Sequence, residues 1–468
     1  MAREASVLVD QKSLRNRRKS AGPDRRHEAP DVPGLALRKA AARLLGAVLE
    51  AATPLDGLTD DEHGHPQYLA LTQRDRALAR AILLSALRHH GGLEHALSLL
   101  TDRPLPPNAT ALRHILHVGL AQILFLDIPD HAAVALAVEA ARADPRANRF
   151  AALVNAVLRR AVREREALLA AIALAPAGPQ WFVARLRQAW GKEAADAILA
   201  AHAAPPALDL TLREDVTGWA TRLGGEALGP STVRLVKSDT PVNELPGYAE
   251  GAWWVQDWSA SLPARLFGDL SGKTALDLCA APGGKTAQLA LAGAKVTALD
   301  RSANRLKRLR ANLQRLKLEA EVLEGDAQGF DDGRVFDAVL LDAPCSSTGT
   351  VRRHPDVPFT KSPDEVAKLA ALQARMLDHA AALTAPGGML VFSNCSIDPA
   401  EGEEVVADFL ARHDDFYTLP VAEAEIGGIA EAIDTRGQVR TLPFMTPPGA
   451  AASSGMDGFF AARLRRRV

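Results

Sequence analysis

Asp277-Leu278-Cys279-Ala280-Ala281-Pro282-Gly283-Gly284-Lys285-Thr286 closes a short apolar run, TALDLC, and opens a helical pattern, with two adjacent glycines at the junction. Such a turn lets a ligand approach the backbone closely, and the first N–H groups of the following helix point at it. The same strand-then-helix rhythm continues outward through KVTALD, AEVLEG, VFDAVLLD, a long helix from about Asp364 to Leu383, and GMLVFSNC. Strands alternating with helices of roughly ten to fifteen residues predict an α/β, doubly wound, mostly parallel sheet covered on both faces. Ligands of such sheets bind outside the carboxyl ends of the strands. Those ends decide the chemistry.

At the first end, a phosphate loop of the Walker type would need glycine where Cys279 stands, and a dinucleotide fingerprint would need more than the pair Gly283-Gly284. Neither fits. The second strand ends in Asp300, an acid placed to accept hydrogen bonds from a ribose diol, and the third is followed by Asp326, suited to an adenine amino group. Alone, each reads first as a helix cap. A glycine turn and two acids at three successive strand ends point instead to a nucleoside-type cofactor. S-adenosylmethionine suits the set because it requires no phosphate site.

The fourth strand ends in Asp342-Ala343-Pro344-Cys345 and the fifth in Ser393-Asn394-Cys395-Ser396. A single buried cysteine is ordinarily a small hydrophobe. Two cysteines at neighbouring strand ends, beside an acid, suit chemistry on cytosine. Carbon-5 of that base becomes nucleophilic only after something adds to carbon-6, and a thiolate is well suited to the addition. Asp342 is placed to bind the polar edge of the base, and a second thiol to assist loss of the carbon-5 proton. The base must be unpaired or flipped to reach such a pocket.

The remaining sequence frames this segment. The first 34 residues are polar, with a basic cluster at Arg15, Arg17, Arg18 and Lys19, and read as a disordered arm that either touches RNA or is simply solvated. Residues 35–170 carry apolar positions at three- and four-residue spacing between Pro and Gly breaks, which predicts an all-α bundle. Residues 179–255 mix one helix with short strands and predict a small α+β module, and 256–468 hold the α/β domain. The 55 basic and 56 acidic side chains nearly cancel, so a nucleic-acid surface must come from local segregation of charge. Arg301 to Lys317 supplies seven basic residues without an acid, and Val351-Arg352-Arg353-His354 follows the Cys345 loop; either is placed to track phosphates, the first also reading as a solvated helix face. Three widely spaced cysteines predict neither a disulfide framework nor a zinc site, and no apolar run reads as a signal peptide or membrane span. The chain is expected to be cytoplasmic, monomeric and metal-free.

The set LDLCAAPGGKT, LDAPCSSTGTVRRHPD and SNCSIDPAEGEEVV resembles the Nol/Nop/Sun family of RNA 5-methylcytosine methyltransferases, with GMDGFFAARLRR as the closing strand and WWVQDWSASLPA as the lead-in. LTQRDRALARAIL, IPDHAAVALAVEAA and FAALVNAVLRR are similar to the NusB-like RNA-binding domain of the Sun/RsmB type. The resemblance covers nearly everything after about Leu35. It implies a Rossmann-like S-adenosylmethionine methyltransferase domain preceded by a NusB-like bundle. It implies cofactor contacts from Cys279, Ala280, Ala281, Pro282, Gly283, Gly284, Lys285, Asp300, Asp326 and Asp342, Cys395 as nucleophile, Cys345 as the residue that releases product, and RNA as partner. The family's usual Thr before the nucleophile is Asn394 here, and its Arg-Val-Asn stretch is replaced by Leu212-Arg213-Glu214-Asp215. The expected activity is cytosine-5 methylation of small-subunit (16S) ribosomal RNA. The alternatives are a transfer-RNA cytosine as target, or a non-catalytic RNA-binding assembly factor.

Overall fold

The computed structural model describes residues 32–173, 175, 177–235, 240–450 and 455–468, so the basic cluster at Arg15 to Lys19 lies outside the described residues. Its front part is helical: α1 (Leu35–Ala51), α2 (Leu55–Leu58), α3 (Pro66–Leu69), α4 (Gln73–Arg88), α5 (His90–Leu100), α6 (Thr110–Phe125), α7 (Asp130–Ala143), α8 (Ala151–Arg163) and α9 (Arg165–Ile172). Local sequence sets these ends. Thr72 caps α4 by accepting from the Asp75 N–H at 3.2 Å. Helix α6 is buried on nearly every side, His114, His117 and Gln122 included, and α1, α4, α7 and α8 pack around it.

Helix α10 (Gln180–Ala203) spans the segment that the periodicity reads as one helix, but Gly191, at φ 75°, breaks it into two. A glycine adopts that left-handed backbone without steric cost, and apolar spacing does not report it. The module that follows holds β1 (Leu208–Leu212), α11 (Val216–Leu223), β2 (Glu226–Leu228), β3 (Thr232–Leu235) and β4 (Trp253–Val255), in an antiparallel sheet of order β2-β3-β1-β4. Across β1 and β3, Asp209 and Arg234 form a fully buried bidentate pair with both contacts at 2.7 Å.

Next come α12 (Leu262–Arg265), β5 (Thr274–Leu278), α13 (Gly284–Leu291), β6 (Lys295–Asp300), α14 (Ala303–Leu316), β7 (Glu321–Glu324), β8 (Phe336–Asp342), α15 (Val357–Thr360), α16 (Pro363–Ala382), β9 (Thr384–Asn394), α17 (Glu403–Arg412), β10 (Phe416–Thr418), β11 (Val439–Thr441) and β12 (Phe459–Arg466). The main sheet runs β10-β12-β9-β8-β5-β6-β7, with β11 also paired to β12. Strands β5 to β9 are parallel, and β12 joins β9 antiparallel. Alternation along β8 divides the core: Val339 and Leu341 pack with Met376 and Leu377 of α16, while Ala338 and Leu340 pack with Leu262 and Ala264 of α12. Both faces are therefore covered. The order places β5 and β8 side by side at the centre, with β9 next to β8. The Gly turn and both cysteine-bearing strand ends therefore share one edge of the sheet.

The helical part docks onto the α/β part at the segment after β8 and at α14. Asp356 caps α2 by accepting from the Leu55 N–H at 3.0 Å, Arg88 donates to the Arg352 carbonyl at 2.9 Å, and Arg308 pairs with Asp60 at 2.7 Å. No helix among the described residues is long and apolar enough to cross a membrane.

Candidate active site

The turn after β5 lines a cavity of about 420 Å³. Cys279, Ala280, Ala281, Pro282, Gly283, Gly284 and Lys285 form one wall, and Asp277, Asp342, Trp254, Gln256 and Arg315 contribute to the rest. Cys279 takes a left-handed backbone at φ 64° and Gly283 one at φ 102°, which turns the chain sharply from strand into α13. A Cβ on Gly283 would meet Leu309 Cγ at 3.0 Å, so α14 packs directly against the turn. Burial pushes the Cys279 thiol up to about 12, so it stays protonated and serves as wall.

Asp342 joins this cavity to the thiols. Its Oδ2 accepts from Lys285 Nζ at 2.8 Å and its Oδ1 from Ser393 Oγ at 3.0 Å. Lys285 Nζ also lies 4.7 Å from the centre of the Phe459 ring. Cys345 and Cys395, both half-buried, face each other with sulfurs 3.4 Å apart. The pair is asymmetric. The hydrogen bond shared with Cys345, together with Ser347 Oγ at 3.6 Å and the Lys285 charge, holds the Cys395 pKa below the ordinary thiol range. The same sulfur contact, reinforced by burial and the nearby Glu401 charge, pushes Cys345 well above it.

Asp300 and Asp326 do not line the cavity. Asp300 is buried, with its carboxylate accepting from the Ala281 N–H at 3.2 Å and the Ser302 N–H at 2.9 Å, and pairing with Arg305 at 3.2 Å. It braces the turn from behind, and Ser302 is the cap of α14. Asp326 is exposed and accepts from the Gln328 N–H at 3.0 Å. The expectation that Arg352 and Arg353 track phosphates is corrected. Arg352 is buried, with its Nη1 on the Met456 carbonyl, and Arg353 is locked between Asp257 at 2.6 Å and Asp457 at 2.8 Å. Their charges are spent inside the protein.

Sequence reading missed Asp277, Ser393, Phe459 and Glu401. Asp277 is fully buried in the cavity wall, its acid pushed up to about 7 by burial despite a hydrogen bond from Thr286 Oγ1 at 2.6 Å. It read as ordinary strand sequence, and only the fold shows which face it takes. Away from this site, His90, Glu94 and His117 bring potential ligand atoms within 4.8 Å, but Glu94 is already committed to Arg113 at 2.9 Å.

The family model for 16S rRNA methyltransferase RsmB/F matches residues 268–465, and the NusB family model matches residues 36–163. A ribosomal RNA small subunit methyltransferase B from Klebsiella pneumoniae is 36% identical over 448 residues, covering 92% of this chain and 98% of that protein. The chain belongs to the RsmB/F family. The protein of the same description from Xanthomonas campestris is 38% identical over 454 residues, covering 92% of this chain and 97% of its own. Among solved structures, PH0851 aligns over 93% of this chain with a TM-score of 0.68 at 20% identity, which shows the shared fold. A methyltransferase homologue from Pyrococcus horikoshii aligns over 66% with a TM-score of 0.50 at 25% identity. The cofactor of this family member is S-adenosylmethionine. The cavity agrees with it, being a space of nucleoside size bounded by the backbone of the Gly turn, the Trp254 indole and the carboxylates of Asp277 and Asp342.

Proposed function

We propose that this chain methylates carbon-5 of a cytosine in small-subunit ribosomal RNA through a covalent adduct on Cys395. The observation that carries the reading is the 3.4 Å thiol pair, set beside an Asp342 that also lines the cofactor cavity. The Cys395 thiolate adds to carbon-6 of the flipped base, forming a C–S bond. Asp342, held by Lys285 and Ser393, binds the polar edge of the ring and supports protonation of its nitrogen, leaving electron density on carbon-5. S-adenosylmethionine, when bound, supplies the electrophilic methyl group. Alkylation of Cys395 removes the negative neighbour that kept the Cys345 proton in place. Cys345 then ionises to solvent and takes the carbon-5 proton, the electrons of that C–H bond re-form the ring double bond and expel the Cys395 thiolate, and the ring nitrogen gives up the proton it gained on addition.

No step of this chemistry calls for a metal. Residues 35–170 are assigned to holding the RNA, 179–255 to linking, and 256–468 to catalysis, in a monomer working in the cytoplasm where thiols stay reduced. The carried-over cofactor roles of Asp300 and Asp326 belong to the same reading. Asp300 acts there through the turn it braces.

The test is methyl transfer from labelled S-adenosylmethionine to small-subunit ribosomal RNA and to transfer RNA. Label in ribosomal cytosine is the expected result. Label only in transfer RNA redirects the substrate, and label in neither favours an assembly factor. Cys395→Ala is expected to abolish transfer while S-adenosylmethionine affinity stays near the wild-type value; retained transfer removes its role as nucleophile. Cys345→Ala is expected to accumulate a protein–RNA adduct that survives a denaturing gel, because addition proceeds and elimination stalls.

A further inference from the structure

Behind the two thiols lies a buried carboxylate to which the mechanism above gives no role. Glu401 is fully buried, just ahead of α17. Its Oε1 accepts from the Ser346 N–H at 2.9 Å and from Gln373 Nε2 at 3.0 Å. Its Oε2 accepts from Ser396 Oγ at 2.6 Å and also from Ser346 Oγ. Ser346 directly follows Cys345 and Ser396 directly follows Cys395. One carboxylate therefore grips the residue next to each thiol, on two loops that leave different strands.

The grip is reinforced on both sides. Asn394, on the other side of Cys395, donates from Nδ2 to the Glu401 carbonyl at 2.6 Å and accepts from the Ser396 N–H at 2.9 Å. Gln373 donates also to the Pro344 carbonyl at 2.9 Å, next to Cys345. None of these contacts is a cation. A buried carboxylate that lacks an ion pair persists when its oxygens are filled with donors, as here. Burial raises its pKa nonetheless.

We propose that Glu401 is a positioning residue that fixes the separation of Cys345 and Cys395 by tying their two loops to one carboxylate, a role resting on the covalent reading above. Span matters in this role and charge does not. Glutamine keeps the span: its carbonyl oxygen accepts from the two N–H donors, and its amide donates to the hydroxyls of Ser346 and Ser396. Aspartate keeps the charge but is one methylene shorter, so it reaches one loop and releases the other.

The experiment is single-turnover methyl transfer by the full chain, with S-adenosylmethionine affinity and KM for ribosomal RNA measured alongside. Glu401→Asp is expected to slow transfer about 100-fold, the cost of misplacing a reacting group by about 1 Å. Cofactor affinity and KM stay within about twofold, while Glu401→Gln stays within about fivefold of the wild-type rate, for the same reason. Wild-type transfer by Glu401→Asp, or equal losses in the two variants, overturns the proposal. Should Glu401→Asp not fold, Ser346→Ala/Ser396→Ala, which removes one tie to each loop, is expected to slow transfer about tenfold at unchanged KM. A wild-type rate there overturns it equally. Cys395→Ala run in parallel separates the two readings: activity in that variant defeats covalent catalysis, whereas an inert Cys395→Ala beside a fully active Glu401→Asp defeats only this inference.

Discussion

A Cβ on Gly349 would stand 2.0 Å from the Gly458 carbonyl oxygen and 2.7 Å from that of Cys395, both of them backbone atoms that a rotamer change does not move. Gly349 also donates to the Cys395 carbonyl at 2.9 Å, so its lack of a side chain lets the two cysteine loops touch. Gly349→Ala is expected to cost about 2 kcal/mol of stability by overpacking, and to lower transfer further by displacing Cys395. Urea unfolding and single-turnover assays read the two effects separately. At this scale the sequence showed both thiols and Asp342, because chemistry-bearing residues at strand ends carry a pattern. It did not show Glu401, which reads there as one of three glutamates around a helix start and gains its role from Ser346 and Gln373, 55 and 28 residues away.

Between elements, the most exposed dependence is a buried one. Asp209 on β1 and Arg234 on β3 are each inaccessible to solvent, and Asp209 also accepts from the Trp258 N–H at 3.0 Å, on the approach to α12. Arg234→Leu leaves that carboxylate buried without its cation, a loss of about 3–5 kcal/mol. Arg234→Leu/Asp209→Leu is expected to recover part of the loss in the same urea titration, because no uncompensated charge remains. Alternating apolar residues made the strands legible here, but the pairing that welds them did not show. Asp209 lies within an apolar run, and a charge buried by its partner looks the same in sequence as one turned to solvent. The break at Gly191 was hidden for a related reason: periodicity continues through it while the backbone does not.

Across the whole molecule, the helical part meets the catalytic part at His354 and Asp56, 3.2 Å apart. Burial by itself would lower the His354 pKa, but the hydrogen bond and charge of Asp56 outweigh it and raise the value. The His354 hydrogen bond is in turn the main reason Asp56 falls to about 2. The histidine contribution is complete below its unfolded pKa of about 6.5 and is lost as pH rises through the raised folded value. The aspartate contribution is complete above its unfolded pKa of about 3.9 and disappears as pH falls toward 2. Both partners are partly exposed, so the pair is worth less than about 1 kcal/mol. The Tm difference between wild type and His354→Gln is expected to peak near about pH 5 and to shrink above about pH 8. A difference independent of pH would mean that His354 acts by packing.

The sequence by itself determined the order of strands and helices, the Gly turn, the placing of two thiols at successive strand ends and the kinship with the RsmB/F family, because period, turn chemistry and short motifs are local. Only the tertiary structure decided which charged residues are available. It turned Arg352 and Arg353 inward, made Asp300 a brace for the turn, and set Asp277, Phe459 and Glu401 around the site. Those assignments depend on which residues distant in the chain meet, and on how much water is excluded where they do.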